Sequence, residues 1–193
     1  MAAALPQLDD EIVHGMAIGA VFTDYTGKIN CLDFHRTEDL MITSSEDDSI
    51  RLYNITSATW MLRDVPFRLR VVSLCMSPVN DSFMSGSLDH SVRIWDLRVN
   101  ACQGILRLRG RPSVAYDQQG LVFAVAMEGG AINLFDSRSY DKGPFDTFLV
   151  GGDTAEVSDI KFSNDGKSML LTTTNNHIYV LDAYVGDKGV VLV

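Results

Sequence analysis

The stretch Val71–Asp96 reads VVSLCMSPVNDSFMSGSLDHSVRIWD, and it contains three short apolar segments separated by two polar turns. The apolar segments favour strands, and the Ser, Pro, Asn and Asp residues between them favour tight turns. The third segment closes on Trp95-Asp96. This stretch therefore predicts an antiparallel meander that ends on a Trp-Asp pair.

The same pattern recurs three more times along the chain, in residues 29–54, 113–136 and 157–182. The closing residues are Asn54, Asp96, Asp136 and Asp182, so successive copies lie 42, 40 and 46 residues apart. A repeat of about 40 to 45 residues with a closing Trp-Asp is typical of WD40 propeller blades, each of which has four strands. We therefore predict an all-β fold, a WD40 β-propeller with four readable blades and no long helix.

The predicted organisation has three parts. Residues 1–17 lack strand alternation and are predicted to form a flexible N-terminal arm, residues 18–184 hold the WD40 repeats, and residues 185–193 form an unmatched tail. The repeats are bounded at about 29–57, 69–110, 111–150 and 151–184. Two stretches, Ala58–Arg68 and the tail, break the pattern and are only loosely consistent with outer strands.

Composition excludes several classes of protein. The 193 residues include 16 basic and 25 acidic side chains, and a net charge of −9 argues against direct binding to a nucleic-acid backbone. Cys31, Cys75 and Cys102 have no paired spacing, so neither a disulfide framework nor a zinc site is indicated. No apolar stretch approaches bilayer length, and the N-terminus lacks the pattern of a secretory signal. We therefore expect no membrane association and a reducing compartment.

Several segments are more specific than the repeat itself. Cys102–Gly104 reads CQG and Tyr140–Phe145 reads YDKGPF, and neither is a general propeller motif. Five further segments accompany them: Gly27–Asn30, Ser44–Ser49, Met76–Asp89, Ile94–Arg98 and Lys161–Lys167. On these residues the chain resembles the WD40 subunit shared by COMPASS-type complexes, which are SET-domain histone H3 lysine methyltransferases. The resemblance covers roughly residues 16–57 and 69–184.

The resemblance implies a non-catalytic scaffold or adaptor subunit of a nuclear complex, a histone H3 lysine-4 methyltransferase that supports transcriptional regulation. Its implied partners are proteins, namely the SET-domain methyltransferase and other subunits of the complex. It implies no cofactor. An alternative role, also implied by the resemblance, links the subunit to pre-mRNA 3′-end processing and transcription termination.

The resemblance also implies seven blades, of which only four are readable here. Ala58–Arg68 falls where an additional blade should lie, and two further blades should follow the fourth repeat. A second hypothesis is therefore a truncated form that is unable to act as an adaptor. An open arc of four blades would leave two apolar faces in water and favour self-association or aggregation. Closure into a four-bladed ring is the alternative, but it would strain blades shaped for a seven-bladed ring.

WD40 blades contain a hydrogen-bonded network of a turn Asp, a Ser or Thr on the second strand and a Trp on the third, which satisfies buried polar groups. In the second repeat these roles are predicted for Asp89, for Ser85 or Ser87, and for Trp95. In the first repeat they are predicted for Asp47 and Ser44, with Tyr53 replacing Trp. The His of the usual Gly-His pair has no counterpart before Arg70. We assign all these residues a structural role.

Candidate partner-binding residues lie in the turns between the second and third strands. Loops around a propeller channel can hold a partner peptide through a few contacts. The side chains in those turns that would face a partner are Asp48, His90, Glu128 and Asn176.

The residues that could form catalytic or metal sites have simpler structural interpretations. Asp47-Asp48 could pair carboxylates for metal binding or acid–base chemistry, but one turn aspartate beside one solvated neighbour explains them better. The four histidines are scattered without metal-ligand spacing. Leu106–Arg111 alternates apolar and basic residues and could touch RNA or an acidic partner, although an outer strand with one solvated face is favoured. The sequence therefore predicts no catalytic residue, no metal ligand and no enzyme.

Overall fold

The computed structural model describes residues 10–60, 70–99, 101–150, 156–183 and 190–192. These residues form four antiparallel sheets of four strands each, and in every sheet the strands lie side by side in chain order. The first two sheets contain β1 Ile29–Phe34, β2 Leu40–Ser45, β3 Ile50–Asn54, β4 Thr59–Trp60, β5 Val71–Met76, β6 Ser82–Ser87, β7 Ser91–Asp96 and β8 Ala101–Arg107. The other two contain β9 Ser113–Tyr116, β10 Val122–Ala126, β11 Ala131–Asp136, β12 Asp146–Leu149, β13 Val157–Phe162, β14 Ser168–Thr173, β15 Ile178–Asp182 and β16 Val190–Leu192. We call the four sheets blades 1 to 4.

The predicted fold class is confirmed, because each readable repeat forms one four-stranded blade and the four blades make an incomplete propeller. The strand that closes on Trp95-Asp96 is β7, the third strand of blade 2. Two short 3₁₀ turns, Glu128–Gly130 and Tyr140–Lys142, interrupt the connections in blade 3.

The two stretches that broke the repeat pattern supply the outer strands of blades 1 and 4. Thr59–Trp60 pairs with β3 as the fourth strand of blade 1, and residues 61–69 lie outside the described residues. Val190–Leu192 pairs with β15, so part of the tail that the sequence left unmatched completes blade 4. In the predicted N-terminal arm, Asp10–His14 forms one short helix, α1, and residues 1–9 lie outside the described residues.

The blades stack face to face through their apolar side chains. Separate buried cores join blade 1 to blade 2, blade 2 to blade 3 and blade 3 to blade 4. The first strands lie innermost, with β5 packed between β1 and β9, and β9 packed between β5 and β13. Among the described residues, packing of this kind does not recur between β1 and β13. The four blades therefore form an open arc around a shared channel.

Each blade has two faces that we name by their neighbours. The leading face packs on the preceding blade and the trailing face on the following blade. Because side chains alternate across a strand, Leu74 and Met76 of β5 lie on the leading face, against blade 1, whereas Cys75 lies on the trailing face, against blade 3.

A segment before β1 covers part of the leading face of blade 1. The Phe22 ring lies 4.4 Å from the Tyr53 ring between centroids, and the Tyr25 hydroxyl bonds to the Thr43 side chain. The Arg51 guanidinium lies 4.2 Å from the centroid of the Tyr25 ring. This cover buries Tyr53 completely. Burial also raises the pKa of Tyr25 well above the ordinary value of tyrosine.

Candidate functional site

The turns between the second and third strands of all four blades lie at the same end of the shared channel. We call this end the turn end. Three of them place a non-glycine residue in the left-handed region, at Asp48 (φ 60°), His90 (φ 62°) and Asn176 (φ 66°). In blade 3 the equivalent position is Gly130 (φ 74°). Asn, Asp, His and Gly are the residues that tolerate this conformation best, so the turn geometry selects these residue types.

The four predicted partner-binding residues all lie at the turn end. His90, Glu128 and Asn176 are exposed, and Asp48 is half-buried. Glu128 differs from the other three because it lies two positions before Gly130, and the intervening Gly129 is also left-handed (φ 78°). Nδ1 of His90 donates to the carbonyl of Gly110 at 2.8 Å, which ties the turn of blade 2 to the connection that enters blade 3.

The predicted network residue Asp89 bonds within its own turn and to the strand that follows. Its Oδ1 accepts hydrogen bonds from the backbone N–H of Ser91 at 3.1 Å and from the Ser91 hydroxyl at 2.6 Å. Its Oδ2 accepts from the Arg93 guanidinium at 2.6 Å. These bonds hold the turn against β7.

Asp47 repeats this arrangement in blade 1. Its Oδ1 accepts from the Ser49 backbone and hydroxyl at 3.1 and 2.6 Å, and Arg51 lies 3.4 Å from its Oδ2. Burial acts to raise the pKa of Asp47, but the hydrogen bonds from Ser49 and the charge of Arg51 outweigh it, so the pKa lies below its ordinary value. The pKa of Asp89 is lowered in the same way, against the effect of burial, by Ser91 and Arg93.

The remaining predicted network residues bond inside the blades and between them. Nε1 of Trp95 donates to the hydroxyl of Ser85 at 2.9 Å in the buried interior of blade 2. The hydroxyl of Ser87 donates to the carbonyl of Arg70 at 3.1 Å, and that of Ser44 donates to the carbonyl of Val71 at 3.4 Å. The Ser44 contact joins blade 1 to blade 2.

A cavity of about 290 Å³ lies at the opposite end, where the ends of all four innermost strands meet. Asp33, Cys75, Ala115 and Lys161 line it from blades 1 to 4. Arg36 spans this opening from blade 1 and donates to the carbonyl of Gln118 in blade 3 at 2.7 Å. This opening is one mouth of the shared channel.

A second polar cleft, of about 330 Å³, lies between blades 2 and 3. It brings together the segments that carry the resemblance, because Asp96, Gln103 and Tyr140 all line it. The amide of Gln103 donates to Oδ2 of Asp96 at 2.8 Å, and a Cβ at Gly104 would overlap the Tyr140 side chain. Sequence reasoning missed this convergence, since no spacing rule relates CQG to YDKGPF.

The described residues contain no cluster of three or more His, Cys, Asp or Glu side chains placed to hold a metal ion. Burial raises the pKa of Cys31 to about 11 and that of Cys75 to about 12, so both thiols stay protonated near neutral pH. Across the same described residues, no helix combines the length and the apolar character needed to cross a bilayer.

The protein-family model described as "WD domain, G-beta repeat" matches residues 18–54 and 68–96. The chain is 60% identical to Anthesis promoting factor 1 of Arabidopsis thaliana, over 96% of this chain and 71% of that protein. It is 35% identical to WD repeat-containing protein 82 of Drosophila melanogaster, over 93% of this chain and 71% of that protein. It is 32% identical to Set1 complex component swd2 of Schizosaccharomyces pombe, over 85% of this chain and 47% of that protein.

The alignment with the Arabidopsis protein is longer than this chain. It runs over 233 positions but includes only 96% of the 193 residues, about 185, so about 48 positions of the alignment (233 minus 185) have no counterpart here. The additional blade that the resemblance implies falls at Ala58–Arg68, and residues 61–68 of that stretch lie outside the described residues.

Proposed function

The chain belongs to the WD40-repeat family that includes Anthesis promoting factor 1 and WD repeat-containing protein 82, and from that premise we propose that it is a non-catalytic scaffold subunit of a nuclear Set1-type complex. The complex is a histone H3 lysine-4 methyltransferase and thereby supports transcriptional regulation. The partners of the chain are the SET-domain methyltransferase and other subunits.

One observation carries this proposal: relatives that match most of this chain are named for such complexes. Set1 complex component swd2 matches 85% of the chain at 32% identity, and COMPASS component SWD2 of Saccharomyces cerevisiae matches 84% at 28% identity. Those names describe the two fungal proteins. Their extension to this chain rests on the shared repeats and on the 60% identity to the Arabidopsis relative.

The hydrogen bonding of the polar side chains in the turns also agrees with a scaffold role. The turn carboxylates of Asp47 and Asp89 are bonded to serines and arginines of their own blades. These bonds hold the turns in shape, and neither carboxylate is left free to act as an acid or a base. The residues that we propose to contact a partner protein lie in the equivalent turns of the four blades, and they are the exposed His90, Glu128 and Asn176 together with the half-buried Asp48.

The test is co-purification of the full chain with the N-terminal region of the SET-domain methyltransferase. The decisive variant combines Asp48→Asn with Glu128→Gln, because Asn tolerates the left-handed backbone at position 48 and both changes remove only charge. We expect the dissociation constant to rise about tenfold, which corresponds to roughly 1.4 kcal/mol. Glu38→Gln, an exposed change at the opposite end of blade 1, is the matched control and should bind as the unmodified chain does.

The second hypothesis, a form unable to act as an adaptor, is favoured by one observation. Leu32 and Phe34 of blade 1 and Leu170 of blade 4 are exposed where other blades bury the equivalent side chains. The same experiment separates the two hypotheses. If the Arabidopsis relative is retained by the methyltransferase region and this chain is not, the scaffold proposal is wrong for this chain.

A further inference from the structure

An open groove of about 570 Å³ lies on blade 3 at the end opposite the turn end, between the β9–β10 and β11–β12 connections. Its apolar lining includes Leu121, which is 40% exposed, and Phe145, which is 59% exposed, with Pro144 beside it. Leu121 also lines the polar cleft between blades 2 and 3, where Val79 of blade 2 is 60% exposed. These side chains therefore form one continuous apolar surface that crosses from blade 2 to blade 3.

Leu121 occupies a position that is charged in the other three blades. Its carbonyl accepts a hydrogen bond from the backbone N–H of Ser137 at 2.9 Å, and the same backbone bond identifies Asp39, Asp81 and Lys167 as its equivalents. A charged side chain suits this solvated position, whereas an exposed leucine buries little apolar surface when its own blade folds. The leucine gains a purpose when another molecule covers it.

The connection that holds Phe145 is long but well fastened. It has nine residues, 137–145, where the same connection in blade 1 has four. Tyr140 lies so close to Gly104 of blade 2 that a Cβ there would overlap its ring. The backbone N–H of Phe145 donates to the carbonyl of Leu134 at 2.9 Å. Phe145 is therefore held in place at the surface, and a partner would not have to order this connection before binding it.

Two cations flank the apolar lining of the groove. The side chains of Arg138 and Lys142 are exposed, and neither forms an ion pair with a described residue. The lining also includes the carboxylate of Asp136, whose Oδ1 accepts from the backbone N–H of Arg138 at 2.8 Å. The lining thus has an excess of positive charge on a chain whose net charge is −9. Carboxylates of a partner complement this local charge.

We propose that this groove docks an extended segment of a partner protein in which phenylalanine or leucine is flanked by aspartate or glutamate. The apolar side chain packs against Leu121 and Phe145, and the carboxylates pair with Arg138 and Lys142. Exposed apolar patches rimmed by polar residues mark protein interaction sites, and aromatic residues and arginine are enriched at interfaces. The inference goes beyond the proposed function, because that function uses the turn end and this groove lies at the opposite end.

Fluorescence anisotropy of the full chain with short labelled peptides tests the proposal. The probe peptides place one Phe or one Leu between Asp and Glu residues. Two sets of matched peptides replace either the apolar residue by Ala or the acidic residues by Lys. We expect saturable binding of the probes, with dissociation constants at least about tenfold lower than those of either matched set.

Leu121→Asp tests the apolar contact, and Asp39 and Asp81 show that a blade accepts aspartate at this position. The dissociation constant of the probes should rise about tenfold or more, because a carboxylate then faces the apolar side chain of the peptide. Leu149→Asp is the matched control, because Leu149 is exposed at the turn end of the same blade, opposite Ala131. It should bind the probes as the unmodified chain does.

Arg138→Gln combined with Lys142→Gln tests the charges. The dissociation constant of the probes should rise about fivefold, as expected for the loss of two exposed ion pairs. Arg109→Gln combined with Lys167→Gln is the control, because it removes the same charge from exposed positions outside the groove. Far-UV circular dichroism of all the variants checks that the blades stay folded.

Equal binding of the probes and the matched peptides, or binding that survives Leu121→Asp, would overturn the proposal. So would the absence of saturable binding, or loss of binding in the Asp48→Asn and Glu128→Gln double variant, which changes the turn end alone. A dimer of the unmodified chain that Leu121→Asp abolishes would assign the groove to a second copy instead. Because this test contains no methyltransferase, its failure is distinguishable from failure of the proposed function.

Discussion

Asp33 of β1 accepts a hydrogen bond from the backbone N–H of Met76 in β5, with 2.7 Å between Oδ2 and the nitrogen. One blade later, Cys75 holds the position of Asp33, and its sulfur accepts from the backbone N–H of Tyr116 at 3.3 Å. A side-chain acceptor at one register position therefore joins consecutive innermost strands. The contact between blades 1 and 2 has the same form as the contact between blades 2 and 3.

Asp33→Ala should lower the free energy of unfolding by about 1.5–3 kcal/mol, the range for a hydrogen bond to a charged group. The substitution leaves the Met76 N–H without its acceptor between two packed blades. Asp33→Asn retains an acceptor oxygen and should lose markedly less stability. Urea unfolding of the three proteins measures the difference, and equal losses for Ala and Asn would show that the hydrogen bond contributes nothing.

Asp96 should make the stability of the chain depend on acid pH. Hydrogen bonds from the Arg98 side chain and backbone lower its pKa to about 2, whereas the unfolded value is about 3.9. A depressed pKa in the folded state gives a contribution that is complete above the unfolded pKa and is lost as the pH falls from about 4 to about 2. The midpoint of urea unfolding should fall over that window.

Asp96→Asn should remove this part of the pH dependence. The chain itself provides the precedent, since Asn54 closes blade 1 and its side-chain oxygen accepts from the Ser57 backbone at 2.8 Å. Asp141→Asn, in an exposed turn, controls for the loss of one negative charge. If the Asp96→Asn chain keeps the full acid dependence, other carboxylates are responsible.

The sequence predicts the blades well because the residues that specify each blade lie close together in the chain. The Trp95-Asp96 closing pair and its equivalents recur every 40 to 46 residues, and turn residues such as Asp48 and Asn176 are chosen by the backbone of a single turn. The sequence of the tail is only loosely consistent with an outer strand, because a short apolar tail carries no closing pair, and it is the pairing with β15 that defines Val190–Leu192 as a strand.

The contacts between blades could not be predicted from the sequence. Asp33 has the pattern of a solvated side chain in an ordinary strand, and nothing in its own repeat indicates that Met76 donates to it. The uneven exposure of Leu32 and Leu74 has the same origin, because both are apolar residues at one register position. Only the presence or absence of a neighbouring blade distinguishes them.

The three cysteines should differ in reactivity toward a thiol reagent at neutral pH. Cys102 is exposed, Cys31 is half-buried and Cys75 is buried. Burial raises the pKa of Cys75 to about 12, which disfavours the reactive thiolate in addition to blocking access. Mass spectrometry after timed labelling should find Cys102 modified first and Cys75 modified only with unfolding. Rapid labelling of Cys75 in the folded chain would mean that blades 2 and 3 separate locally.

The last prediction compares two glycines with nearly the same backbone. Gly110 has φ +77° and Gly129 has φ +78°, so alanine at either position is strained by roughly 1–2 kcal/mol. A Cβ at Gly129 would meet open space, whereas a Cβ at Gly110 would overlap Glu128. Gly110→Ala must also displace the turn that holds Glu128, and overpacking of this kind costs about 1–3 kcal/mol more.

Urea unfolding should therefore rank Gly110→Ala well below Gly129→Ala in stability. Adding Glu128→Gly to Gly110→Ala removes the overlapping side chain. The double variant should therefore regain the stability that Gly110→Ala loses relative to Gly129→Ala, apart from the cost of the added glycine. Equal stability of the two single variants would show that the Glu128 turn moves freely. A freely moving turn would leave Glu128 without a fixed position, and Gly110, whose carbonyl accepts from His90, would then not set the geometry of the turn end.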